Sequence, residues 1–129
     1  MFEQDYIMRQ IKEMTAVIAK VVFGAKVERS FEMLQEVERQ KAFALIEQMR
    51  SGEPKGAVEE LDRLSDNNTK ENLMIGLEFY AQLSDMDDDF FDDNGYSLIM
   101  AKKDFEHFAE KFGLEHITEL YFGSSDEDK

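Results

Sequence analysis

Between residues 69 and 83 the chain carries Leu73, Met74, Ile75, Leu77, Phe79, Tyr80 and Leu83. Wound into an α-helix, these side chains cover nearly the whole circumference, and a helix apolar all round has no face to give to water. It has to sit in the middle of a fold, with other helices laid around it. Asn68 with Glu71 three residues on forms a capping-box pattern, so the spacing predicts a central helix from about Thr69 to Leu83.

The surrounding helices are legible from their stripes. Ile7, Ile11, Met14, Ile18 and Val21 are spaced 4, 3, 4, 3, one continuous line on a helix from about Phe2 to Phe23. Gly24 follows as its C-cap. Ser30 is read as the N-cap of a second helix ending near Arg50, with Phe31, Leu34, Ala42, Leu45, Ile46 and Met49 on one broad face. Val37 and Ala44 widen that face, which suggests contact with more than one neighbour. Pro54 sits where a first helical turn tolerates proline, opening a short third helix with Ala57, Val58, Leu61 and Leu64 inward. Asp85 to Gly95 reads as an acidic loop or a brief turn of helix anchored by Phe90 and Phe91. Ser97 caps a further helix with Leu98, Ala101, Phe105, Phe108, Ala109 and Phe112 in a narrow stripe, and Gly113 ends it. Ile117, Leu120 and Tyr121 supply a last helical turn. No alternating strand pattern occurs. The expectation is all-α, a compact bundle of five or six helices forming one domain over residues 1–123, with 124–129 a frayed acidic tail.

A chain of 129 residues falls in the size range of one domain, and 43% aliphatic and aromatic residues give it material for a core. Its purely apolar runs, such as Val21, Val22 and Phe23, are only a few residues, far short of the roughly 20 residues that span a bilayer. Glu3 and Asp5 stand where a secretory leader carries basic residues, and there is no cysteine for disulfides or thiolate chemistry. Together these favour the cytoplasm. The net charge of −14 is uneven: residues 84–129 hold fourteen acids against four lysines. Such a surface repels phosphate backbones, so direct binding of nucleic acid or an anionic membrane is not expected, and a basic partner is the natural complement.

Candidate chemistry is sparse. The acidic loop fails as an EF-hand: started at Asp85 it puts Phe90 at the glycine position and Tyr96 at the glutamate position. With Gly95 as the sixth residue, Phe90 comes first and Ala101 twelfth. Asp104 and His107 lie three apart, as in carboxylate-bridged di-metal bundles, but that motif is needed twice and occurs once. The serines and threonines sit mostly at caps and loops, and no nucleophile elbow, P-loop or dinucleotide glycine pattern is present. Met14, Met49 and Met74 lie on stripes that the core claims. The chain is therefore expected to be non-enzymatic, with no cofactor and no metal.

The opening Met-Phe-Glu-Gln-Asp-Tyr-Ile-Met-Arg, with Phe2, Asp5, Tyr6, Ile7, Met8 and Arg9 in place, resembles the start of a family of small bacterial proteins, mainly from low-GC Gram-positive species, with no assigned activity. Leu77 to Leu83, the acidic stretch after it and the final amphipathic helix are similar to that family too. The resemblance implies an all-helical fold comparable to tetratricopeptide repeats. Ala44, Ala57 and Leu61 sit near the small-residue positions of one such repeat, so one degenerate helical hairpin is expected and an array is not. Asp5 and Arg9 also stand four apart, the spacing of an ordinary helix-surface ion pair.

The chain thus reads first as a non-catalytic helical protein–protein interaction module. Its candidate contact residues are Asp5, Tyr6, Arg9, Ile11 and Ile18, and a homodimer through the first-helix stripe is one form of it. The alternative is an acidic mimic that masks a nucleic-acid-binding protein, using Asp87, Asp88, Asp89, Asp92 and Asp93. A third possibility, a small-molecule-binding bundle, needs a pocket that no sequence pattern reveals.

Overall fold

The structure, a computed structural model, describes residues 2–123, with side chains from Tyr6 onward. Its eight helices are α1 (Phe2–Phe23), α2 (Val27–Glu32), α3 (Glu36–Arg50), α4 (Pro54–Leu64), α5 (Lys70–Leu83), α6 (Asp88–Asp93), α7 (Leu98–Lys111) and α8 (Glu115–Phe122). No strand occurs among the described residues, and no helix there is long and apolar enough to cross a membrane. The expected acidic tail, residues 124–129, lies outside the description.

The segment apolar all round does take the centre. Nine residues of α5 are buried, and α1, α2 and α3 all pack against it. α1 buries Met8, Ile11, Met14, Ile18 and Ala19, and its further contacts run to α7 and α8. The buried Gln10 donates from Nε2 to the Tyr121 carbonyl, fastening α1 to α8. Gly24 and Gly113 adopt φ of 78° and 74°, the left-handed region, at the ends of α1 and α7, where a side chain would be strained.

The count differs from five or six in three places. The expected second helix is two, α2 and α3, separated at Met33–Gln35. No glycine or proline marks the break. The Arg39 guanidinium supports it by donating to the carbonyls of Glu32 and Leu34, which have no helical partner. Ser30 is accordingly not an N-cap but a buried residue inside α2, its Oγ 3.4 Å from the Ala25 carbonyl. The acidic stretch winds into α6, capped by the Asp87 side chain, which accepts from the Phe90 amide at 3.0 Å. The last turn is an eight-residue helix. The cap of α5 also shifts by one residue. Thr69 accepts from the Asn72 amide, and the buried Asn72 side chain turns back to donate to the Leu64 and Asn67 carbonyls, fixing the α4–α5 loop.

α5 meets α7 through one glycine. A Cβ built on Gly76 would stand 2.1 Å from Cε1 and 2.2 Å from Cζ of Phe108, so the ring lies directly on the helix backbone. One turn on, the Tyr80 ring packs edge-on to Phe105 (5.0 Å between centroids) and beside Phe108 (5.4 Å). We expect Gly76→Ala to destabilise the fold. The helix-propensity gain of about 1 kcal/mol is outweighed by overpacking of about 1–3 kcal/mol in a core that cannot shift the ring freely. Thermal unfolding followed by circular dichroism should show a midpoint lowered by several degrees. The Gly76→Ala/Phe108→Leu double variant should lose less than the two single losses added together.

Candidate functional site: two recesses flanking α4

α4 presents two opposite sides, each bordering a recess. On one side lies an open groove of about 330 Å³ against α3, lined by Lys41, Ala44, Leu45, Gln48, Glu60 and Leu64. On the other lies a polar cleft of about 260 Å³ against α5 and α7, lined by Val58, Glu59, Leu61, Asp62, Arg63, Tyr80, Asp104, His107 and Phe108.

The groove follows from the helical period of α3. Val37, Lys41, Ala44 and Gln48 are spaced 4, 3, 4, one line along the helix, and the last three form the α3 wall of the groove. Val37 continues that line one turn toward the N-terminus and is 57% exposed. The opposite face of α3, with Ala42, Ile46 and Met49, is buried, and the buried Leu45 lies at the base of the groove.

The cleft is built differently. Tyr80 reaches it from the buried helix α5, Asp104 and His107 from α7, and Glu59 and Asp62 from α4. Lys111 holds α4 and α7 together beside it. Its Nζ lies 3.0 Å from Asp62 Oδ1, 2.6 Å from Asp66 Oδ1 and 2.8 Å from the Asp62 carbonyl. The cluster around Asp104 is ordered from behind: the buried Tyr96 hydroxyl donates to Asp104 Oδ2 at 2.7 Å, and the Tyr96 ring stacks on Phe91. His107, exposed at the rim, has Nε2 3.3 Å from Asp62 Oδ1.

Tyr80 is 1% exposed, and its hydroxyl makes no hydrogen bond among the described residues. No side-chain polar atom among them is both fully enclosed and unpartnered, so the oxygen must open onto the cleft that the residue lines. Burial, reinforced by Asp104 and Asp62, holds its proton well above the ordinary phenol range. The hydroxyl is therefore neutral at physiological pH and can donate or accept a hydrogen bond, but it is no general base. Burial likewise raises the Asp104 carboxyl above the usual range. The Tyr96 hydrogen bond opposes that shift, Asp62 adds to it and His107 opposes it. Among the described residues no group of three His, Cys, Asp or Glu side chains could hold a metal ion, and the Asp104–His107 pair has no second copy beside it.

The contact residues expected on α1 divide. Tyr6 is exposed, and Arg9 lines a shallow recess with Met8, Lys12, Ser84, Met86, Asp87 and Asp88. The Asp5 side chain lies outside the description. Ile11 and Ile18 are fully buried at 0% exposure, so these two residues of the stripe are spent on the monomer's own core, while Val21 at its end is exposed. The 4, 3 spacing is the same for a core stripe and an interface stripe, and here α5, α7 and α8 cover it. Tyr80 and Tyr96, which sequence reasoning placed in the core or passed over, are the residues that give the cleft its character. The burial of Tyr80 follows the α5 pattern, whereas Tyr96 lies in the turn between α6 and α7, and its hydrogen bond to Asp104 depends on how that turn meets α7.

Compared with known proteins, the chain belongs to a family of unknown function, DUF6483, whose model matches residues 1–113. No curated protein and no solved structure matches it.

The Asp104 geometry has a titration consequence. Its folded carboxyl keeps a proton to higher pH than the ordinary value of 3.8, so its contribution to stability falls as pH rises through that interval. Carboxyl-carbon NMR should place the Asp104 midpoint above 3.8. Tyr96→Phe, which removes the one hydroxyl donor while keeping the ring, should move that midpoint higher still. A midpoint unmoved by Tyr96→Phe would mean that the hydrogen bond does not hold in solution.

Proposed function

We propose that this protein is a non-catalytic helical interaction module whose contact face is the groove between α3 and α4, not the α1 stripe. The observation that carries this is the unused apolar width of α3. Val37 and Ala44 extend the apolar face beyond what the core consumes, and both remain exposed. Ala44, Leu45 and Leu64 give the groove its apolar floor, with Lys41 and Glu60 as charges of opposite sign on its edges. Isolated exposed apolar residues are ordinary on a protein surface, but Val37 and Ala44 share one line of α3 with Lys41 between them, and that line forms the wall of a groove with an apolar floor. The recess suits the apolar stripe of a helix from a partner chain or from a second copy. Ala57 and Leu61, buried where α4 packs on α3, support the idea that this pair is one degenerate tetratricopeptide-like hairpin.

The acidic-mimic alternative draws support from α6. Phe90 and Phe91 pin this helix to the core, and Asp88, Asp89, Asp92 and Asp93 are exposed around it. A fixed array of carboxylates could imitate a phosphate backbone to a basic protein.

One experiment separates the two. Purified chain is used to capture partners from its native cells, with low-salt and then high-salt washes, alongside sedimentation at rising concentration. Val37→Asp and Ala44→Arg are exposed changes expected to alter stability by less than about 0.5 kcal/mol. They should abolish a salt-resistant association, or self-association if the partner is a second copy. A partner that leaves in high salt, ignores these variants and is lost when Asp87, Asp88, Asp89, Asp92 and Asp93 become Asn would transfer the assignment to α6.

A further inference from the structure

We propose that the polar cleft between α4 and α7 binds a primary alkylammonium group, with its stem against Val58, Leu61 and Phe108 and its charged head between Asp104 and the Tyr80 hydroxyl. This does not rest on the groove between α3 and α4, which lies on the other side of α4.

The first support is the Tyr80 hydroxyl. It belongs to a side chain that is 1% exposed, faces the cleft and has no hydrogen-bond partner among the described residues. The oxygen opens onto the cleft, so a hydrogen-bonding group that enters the cleft can reach it, while a phenylalanine would fill the same space and offer none. The second is the charge around it. Glu59, Asp62 and Asp104 line the cleft. Asp62 is taken by Lys111, and the Arg63 guanidinium is taken by Glu60 at an exposed position. Asp104 uses Oδ2 for Tyr96, and its Oδ1 has no hydrogen bond among the described residues. An acceptor oxygen on Asp104, a hydroxyl that can accept and a carboxylate-rich rim together call for a donor-rich cation, not an anion.

Shape narrows the class. At about 260 Å³ the cleft is slightly below the roughly 300–1,000 Å³ of drug-sized pockets, so it suits one short chain and not a ring system. Its apolar wall of Val58, Leu61 and Phe108 matches a methylene stem. A metal ion is the less suitable cation, because no three ligating side chains converge there among the described residues. An alkylammonium can come from a free amine or from the lysine side chain of a peptide.

The test is an NMR titration of the full chain with n-butylammonium, with 1-butanol as the uncharged control. Saturable shifts centred on Tyr80, Asp104 and Phe108, with a dissociation constant on the order of millimolar, are expected for so small a ligand. Butanol should give none. Tyr80→Phe removes only an unpartnered oxygen, so it should fold at least as stably as the wild type yet bind roughly tenfold more weakly. Asp104→Asn, whose carbonyl can still accept from Tyr96, should weaken binding by tenfold or more. Comparing putrescine with Nα-acetyl-lysine methylamide then identifies the source. Tighter binding of putrescine marks a free-amine site, and tighter binding of the lysine derivative marks a peptide site. Absence of saturable shifts in the wild type, equal binding of butanol, or equal affinities across the three proteins would each overturn the proposal.

Discussion

The arrangement around the cleft depends on the contact between the Gly76 backbone and the Phe108 ring. α5 is surrounded by other helices, and α7 can reach it closely only where α5 has no side chain. Gly76 provides that place, with the ring where a Cβ would stand. The contact sets the depth of α7, and that depth brings Phe105 and Phe108 against Tyr80 one turn along α5. It also places Asp104, one turn before Phe108 on α7, among the lining residues of the same cleft as Tyr80. A glycine inside a buried helix lowers helix propensity by about 1 kcal/mol, and the seating of the Phe108 ring on its backbone offsets that loss.

α4 is the shared wall of both recesses, and its amphipathic pattern explains why. Ala57 and Leu61 are buried, which leaves two flanks. One flank gives Glu60 and Leu64 to the groove, and the other gives Val58, Glu59 and Asp62 to the cleft. The C-terminal end of α4 is tied to α7 by Lys111 and to α5 by the side chain of Asn72. The cleft is therefore bounded by a braced helix. Occupation of the groove on the far side need not disturb it, so the two recesses can act independently.

Much of this was readable before the fold was known. The all-round apolar segment became the central helix, and the bounds of α1 followed from its stripe and Gly24. Ser97 caps α7 as its position suggested, and Phe90 and Phe91 anchor the acidic stretch. Readability failed where local signals were absent or ambiguous. The α2–α3 break carries no glycine or proline and leans on Arg39, which lies within α3. Asn68 and Thr69 are both good caps, and only the chain path selects Thr69. The Ile11 and Ile18 stripe reads equally well as a contact face, because periodicity reports which face is apolar, not what covers it. Val37 and Ala44 widen the α3 face in a way that suggests a second neighbour, yet both are exposed, since a pattern counts apolar positions and not what packs on them.

The cleft lay beyond such patterns for a different reason. Its members come from α4, α5 and α7, and each looks ordinary in its own helix. Tyr80 looks like core, Asp104 like a solvated face, and Asp62 like one of 29 acids. What distinguishes them is a conflict that exists only after packing. The hydroxyl of a buried side chain has no hydrogen-bond partner among the described residues, beside a carboxylate whose own burial works against its charge. Packing alone does not require that oxygen, since a phenylalanine would satisfy Phe105 and Phe108 equally well. Tyr96 shows the contrast, because its equally buried hydroxyl is matched to Asp104 at 2.7 Å. One tyrosine is explained by the protein's own structure. The other opens onto the cleft, where water or a ligand can meet it.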